Sequence, residues 1–160
     1  LVDAVSDIEG VAVFNLYELS QEIAFNIDEW SKIISDASAV IYQFPFYWMS
    51  APSLLKKWQD EVFTFLSKTP AVAGKPLTVV TTTGSEYEAY RSGGRNRFTT
   101  DELLRPYQVS AIHSGMSWQT PIVVYGMGTA DAGKNIAEGA NLYKQRVEML
   151  IGSSNAGNNW

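Results

Sequence analysis

An α/β fold with a parallel sheet covered on both faces is what this sequence predicts, and three observations predict it. Short β-branched apolar runs alternate with segments of helical period. The two kinds of segment are separated by capping and turn residues. Strands that alternate with helices pair in parallel, and the helices cover the sheet.

The elements follow in order. Val11–Leu16 is a short apolar run and reads as a buried strand. Ile27, Trp30, Ile33, Ile34 and Ala37 recur at helical spacing behind Asn26, a good N-cap. Ala39–Phe44 is the next strand. Pro52 suits a first helical turn, and Leu54, Leu55, Trp58, Val62 and Phe65 mark that helix's inward face. Ala73-Gly74-Lys75 turns into a third strand, Pro76–Thr82, and residues 84–96 read as a long loop. Thr99 to Glu102 fits a capping box. Arg105-Pro106 interrupts that helix, and another runs from Pro106 to Gly115. Thr120–Tyr125 is a fourth strand. Ile136, Ala140, Tyr143, Val147 and Leu150 share one face of a last helix, and residues 152–159 read as a mobile polar tail.

Composition narrows the chemistry. Apolar residues make up 46% and charged residues 18%, which suits one globular domain in 160 residues. A net charge of −5 argues against nucleic acid or an anionic membrane as partner. Cysteine is absent, so thiolate nucleophiles and cysteine-held metals are excluded. The single histidine, His113, excludes a His-rich metal site and reads as structural. No run approaches a membrane span, and the first residues show no basic stretch followed by an apolar one. The expectation is a cytoplasmic protein without a metal.

In open parallel sheets, ligands sit beyond the carboxyl ends of the strands. Three loops lie there. Gln43-Phe44-Pro45-Phe46-Tyr47-Trp48-Met49-Ser50-Ala51-Pro52 crowds four aromatics where a strand empties into a helix. Such a surface suits a planar heteroaromatic ligand, with a dimer patch or a packed loop as the alternatives. Thr81-Thr82-Thr83-Gly84-Ser85 offers hydroxyls and a permissive glycine to a ligand's polar edge, with Tyr87 and Tyr90 close behind. Residues 128–135, Gly-Thr-Ala-Asp-Ala-Gly-Lys-Asn, nearly match a phosphate-binding P-loop. Asn135 stands where a magnesium-binding hydroxyl belongs, so a capped helix start is the better reading. Arg91, Arg95 and Arg97 flank the second loop, as solvated charges or as attraction for a dinucleotide phosphate.

Gln43-Phe44-Pro45-Phe46-Tyr47-Trp48, then Pro52, Leu55-Lys56, Trp58 and Glu61-Val62, resembles the NAD(P)H dehydrogenase (quinone) family of flavodoxin-like proteins. The nearest branch holds the ancillary flavoproteins of bacterial potassium efflux and the general stress flavoproteins. Leu16-Tyr17-Glu18-Leu19, Phe25-Asn26-Ile27-Asp28, Thr82-Thr83-Gly84, Asn96-Arg97-Phe98-Thr99, Glu102-Leu103-Leu104-Arg105-Pro106 and Tyr143-Lys144-Gln145-Arg146 extend the match.

The resemblance implies a flavodoxin-like three-layer sandwich. It implies FMN, with FAD as the alternative, NAD(P)H as hydride donor, and a quinone or other small aromatic acceptor. Two-electron hydride transfer would run through flavin N5. Pro45, Phe46, Tyr47, Trp48 and Met49 resemble the loop lining the isoalloxazine, Trp48 against the ring. Thr82, Thr83, Gly84, Ser85 and Glu86 resemble the loop at its polar edge. Tyr90 stands where relatives place a catalytic tyrosine, and Asn96 where they often place a histidine. A homodimer is implied, and a membrane efflux channel is a possible partner that would make the chain a regulatory ancillary subunit. The family fold opens with a strand and a phosphate loop, whereas Leu1–Glu9 reads as the end of the first helix. The expectation is therefore an extension of roughly 20 residues before Leu1, giving five strands with four represented here. The 65–75 connection is also shorter than the family's. Residues 1–151 form the expected flavin-binding domain and 152–160 a tail.

Overall fold

The computed structural model describes residues 1–19 and 24–156. A 3₁₀ turn, Val2–Ala4, opens the chain, followed by α1 (Leu16–Leu19) and α2 (Ile27–Asp36). Strand β1 (Val40–Pro45) leads to α3 (Ser53–Trp58), a π-helical segment Gln59–Phe63 and α4 (Thr64–Leu66). Strand β2 (Pro76–Thr82) is followed by a 3₁₀ turn, Tyr87–Tyr90, then α5 (Thr100–Leu103) and α6 (Arg105–His113). Strands β3 (Ser117–Trp118) and β4 (Ile122–Val124) and the long helix α7 (Ala132–Ala156) complete the described residues.

The four strands form a flavodoxin-like parallel sheet centred on β2. β1 pairs along one side of it, from Val40↔Leu77 to Pro45↔Thr82. β3 and β4 share the other side at different heights, through Leu77↔Trp118 and Val80↔Ile122. Pro121 lies between these two pieces, and the break is closed by side chains. Thr78 Oγ1 donates to the Thr120 carbonyl at 3.1 Å and Arg146 donates to the same oxygen at 2.8 Å. The buried Thr81 hydroxyl likewise finds the Phe44 carbonyl at 2.8 Å, so the two buried threonines of the central strand, Thr78 and Thr81, both have their hydroxyls paired.

Alternation along the strands divides the core. Tyr42, Phe44, Leu77 and Val79 meet Trp30 and Ile34 of α2, Leu55 and Trp58 of α3, and Leu104, Tyr107 and Ala111 beside and within α6. Val80 and Ile122 face the other way, onto Val5 and onto Tyr143 and Val147 of α7. Helices therefore lie on both faces.

Several boundaries differ from the sequence reading. Val11–Leu16 is not a strand: residues 11–15 carry no regular structure, and Leu16 begins α1. Val13 is 49% and Phe14 41% exposed. A strand exists only through a ladder partner, and among the described residues none lies beside this run. The four strands are instead β1 to β4, the edge being split in two. Phe65 is 56% exposed and Leu66 takes the inward place. The π turn is wider than an α turn and delays the buried face by one residue. Helix α7 continues through Ala156, past the expected boundary at 151, so residues 152–156 are helical rather than tail. Residues 157–160 of the expected tail lie outside the described residues. Among the described residues no helix is long and apolar enough to cross a membrane.

Candidate cofactor site

The carboxyl ends of β1 and β2 carry two loops side by side. Beyond Pro45 the ladder continues for one bond, the Phe46 amide donating to the Thr82 carbonyl at 2.9 Å. Tyr47 and Ser50 then exchange both backbone hydrogen bonds, at 2.8 and 3.0 Å. The two residues between them, Trp48 and Met49, both have positive φ, 47° and 63°. This two-residue reversal has the signature of a primed turn, a place that ordinarily selects Asn and Gly. Tyr107 on α6 anchors it: its hydroxyl accepts from the Ala51 amide at 3.1 Å and meets Ser50 Oγ at 3.3 Å. The turn holds Trp48 98% exposed, with Tyr47 and Met49 beside it, also exposed.

The second loop is held from behind. The amides of Gly126, Met127 and Gly128 donate to the carbonyls of Ser85, Thr83 and Gly84, at 2.8, 2.9 and 2.9 Å. A Cβ on Gly128 would stand 3.0 Å from the Gly84 oxygen, so the two backbones meet closely. No peptide bond here is cis. In a trans peptide the N–H points opposite to the C=O of the same unit. Three carbonyls turned toward residues 126–128 therefore turn the amides of Gly84, Ser85 and Glu86 the other way. None of these three amides donates a hydrogen bond among the described residues. Consecutive unpaired amides of this kind receive the acceptor edge of a ligand.

Residues 87–97 close the site at one side. Tyr90 is buried and packs edge-on against Phe46, ring centroids 6.2 Å apart, with Tyr125 on another side at 5.9 Å. Burial pushes the Tyr125 phenol up, while its hydrogen bond with Thr100 Oγ1 at 2.7 Å opposes the shift. Gly94 lies so near the preceding turn that a Cβ would clash with the Glu88 carbonyl oxygen. The Asn96 amide donates to the Ala89 carbonyl, and the Asn96 Nδ2 is buried without a partner. Arg95 reaches back ten residues to donate to Ser85 Oγ at 2.6 Å. Behind the tyrosines a groove of about 580 Å³ runs along β4 toward α7, lined by Tyr87, Tyr125, Ile122, Leu142 and Arg146.

The structure thus brings Pro45–Met49, Thr82–Glu86 and Tyr90 to one end of the sheet. The Thr83 hydroxyl is engaged, donating to the Ser85 carbonyl at 2.8 Å. In the P-loop look-alike, residues 128–135, the Gly128 amide is occupied in holding the second loop and the Thr129 amide donates to the Gly126 carbonyl. Thr129 Oγ1 accepts from the Asp131 amide there, and Asn135 Nδ2 donates to the Tyr125 carbonyl. His113 is the exposed last residue of α6, away from both loops. Among the described residues no group of three His, Asp or Glu side chains gathers to hold a metal. Sequence reading missed Tyr107 and residues 126–128. A tyrosine on the inward face of a helix was a signal, because a buried hydroxyl needs a partner. The backbone bonds of 126–128 leave no mark in side-chain identity.

Comparison with known proteins gives the class. A family model described as flavodoxin-like fold matches residues 1–147, and the chain belongs to that family. General stress protein 14 of Bacillus subtilis (strain 168) is 34% identical over 88% of this chain and 82% of its own. The glutathione-regulated potassium-efflux system ancillary protein KefG of Serratia proteamaculans (strain 568) is 35% identical over 78% and 70%. Among solved structures, general stress protein 14 of Treponema denticola in complex with FMN is 27% identical, covering 92% of this chain and 87% of its own, with a TM-score of 0.81. An NADPH-quinone reductase of P. pentosaceus is 27% identical over 91% and 84%, TM-score 0.76. A structure described as a thermophilic tryptophan halogenase from Streptomycin violaceusniger is 35% identical over 91% and 87%, TM-score 0.84. The chain is thus related to NAD(P)H and quinone oxidoreductases with an FMN-binding neighbour.

Proposed function

We propose that this protein is an FMN-dependent NAD(P)H:quinone oxidoreductase working in the cytoplasm as a homodimer. The observation that carries the reading is the row of unpaired amides at Gly84, Ser85 and Glu86, on the same end of the sheet as the exposed Trp48 turn. A flavin ring fits that pair: one flat apolar face, one edge rich in acceptors. FMN held there would supply two-electron chemistry between NAD(P)H and a quinone.

The chain's own residues bind and orient. Phe46, Tyr47, Trp48 and Met49, with Pro45 beneath, form the apolar wall. The amides of Gly84, Ser85 and Glu86 and the Thr82 hydroxyl take the polar edge, and the Thr83 hydroxyl stiffens that loop from within. Tyr90 adds a phenolic donor to the same edge. Asn96, with its buried amide nitrogen lacking a partner, stands ready to donate to a ligand oxygen. FMN is favoured over FAD by the FMN complex of a relative.

A second reading, a regulatory ancillary subunit of a cation-efflux system, is favoured by the KefG relatives and is compatible with the first. Flavin titration of the full-length protein, with mass analysis of the released cofactor, tests the site. Steady-state oxidation of NADH and NADPH with a quinone, without halide, tests the reaction and meets the halogenase description of one neighbour. Stoichiometric FMN and quinone-dependent turnover are expected. FMN binding without turnover would leave the regulatory reading standing, and absence of FMN binding would overturn both.

A further inference from the structure

Of the three arginines in the 87–97 loop, Arg95 has a distinct environment. Arg91 pairs with Glu88 at 3.4 Å and lies over the Tyr87 ring at 5.5 Å. Arg95 is exposed and meets no carboxylate among the described residues. Its guanidinium is docked instead on Ser85 Oγ at 2.6 Å. The backbone fixes that reach. Gly94 is pressed against the Glu88 and Ala89 carbonyls, the Asn96 amide bonds to Ala89, and Arg97 takes a positive φ of 64° while its amide donates to Gly94. A guanidinium keeps its charge at every physiological pH. The fold therefore presents a permanent, uncompensated positive charge against the middle residue of the amide row.

We infer that Arg95 tunes the redox poise of the bound cofactor: its docking on Ser85 places a fixed positive charge beside the amide row that would hold the flavin's polar edge, and a flavin gains negative charge on reduction. The inference rests on the flavin reading above and adds to it a residue that need not touch the ring. Hydride brings two electrons and one proton from the nicotinamide, which is oxidised, and a nearby cation offsets the negative charge that remains. A single charge at an exposed site shifts such an equilibrium by on the order of tenfold at low salt. For two electrons, a tenfold shift is about 30 mV.

The test is the midpoint potential of the FMN-loaded protein and of Arg95→Gln, Arg95→Lys and Ser85→Ala, at low and at high salt. Arg95→Gln is expected to lower the potential by about 30 mV at low salt, since the tenfold change converts at that rate. Arg95→Lys should keep most of the wild-type value. Ser85→Ala, which frees the guanidinium without removing it, should give a smaller drop. Salt should shrink all three differences, because the charge is exposed. An unchanged potential in Arg95→Gln with FMN still bound stoichiometrically overturns the inference and leaves the flavin reading intact. So does an unchanged potential with a raised KM for NADPH, which would assign Arg95 to the donor's phosphates. If the wild-type protein takes up no FMN, the flavin reading and this inference fall together.

Discussion

Trp48 carries an unusual conformation for an unusual exposure. A side chain with a Cβ in the left-handed region costs about 1–2 kcal/mol, and Trp48 and Met49 both sit there. Such strain persists where the surroundings over-determine it, here through the Tyr47–Ser50 pair and the Tyr107 hydroxyl. The indole itself touches almost nothing, at 98% exposure. Trp48→Ala should therefore leave unfolding by urea unchanged while weakening FMN binding by roughly 1–3 kcal/mol, the scale of lost aromatic packing. Equal affinity in a fluorescence titration would remove Trp48 from the site. Tyr107→Phe leaves the Ala51 amide without its acceptor and should cost about 1 kcal/mol of stability. FMN affinity should fall with it, because the turn loses its anchor. A stability loss with unaltered affinity would make Tyr107 a core residue only.

Among the elements, α5 gives the cleanest link from sequence to energy. Thr99 Oγ1 accepts from the Glu102 amide at 3.2 Å, and the Glu102 carboxylate accepts from the Thr99 amide at 2.8 Å. Thr99→Ala should cost about 1 kcal/mol in chemical unfolding. The Thr99 amide and hydroxyl hold the Glu102 carboxyl below its ordinary value of 4.5. A carboxyl lowered in the folded state stabilises it above that ordinary value. The contribution is lost as pH falls through the lower folded value. Glu102→Gln keeps the box geometry and should flatten this part of the acid-side stability curve. The box was legible because both partners lie three residues apart in the chain. The helix after β1 was legible only as far as the π segment, where one wide turn moves the inward place from Phe65 to Leu66. Val11–Leu16 failed for a different reason: strand character resides in the neighbour, and the run's apolar pattern says nothing about whether a neighbour is present. Of the candidate site, the placement of the aromatic loop and the Thr82–Glu86 loop at neighbouring strand ends was legible from side-chain clusters. The amide row was not, since its direction is set by residues 126–128, some forty positions on.

At the scale of the whole molecule, three exposed rings stand together at one end of the sheet. Tyr47 is 61%, Trp48 98% and Tyr87 53% exposed, on loops that follow two adjacent parallel strands. Aromatic surface of this kind is covered by ligand or by partner, and two-fold dimers are the commonest assembly. Light scattering at micromolar concentration is expected to give twice the chain mass, and a monomer there would count against the homodimer. The bonds from Gly126, Met127 and Gly128 to the Thr83–Ser85 carbonyls also have a dynamic consequence. They tie the entry to α7 and the loop that follows β2 into one unit that must open together. Saturating FMN, contacting only the outward amides, should therefore slow deuterium uptake at Gly126, Met127 and Gly128 on the far side of the loop. Uptake slowed at Gly84–Glu86 but not at those three positions would show that the two segments open separately.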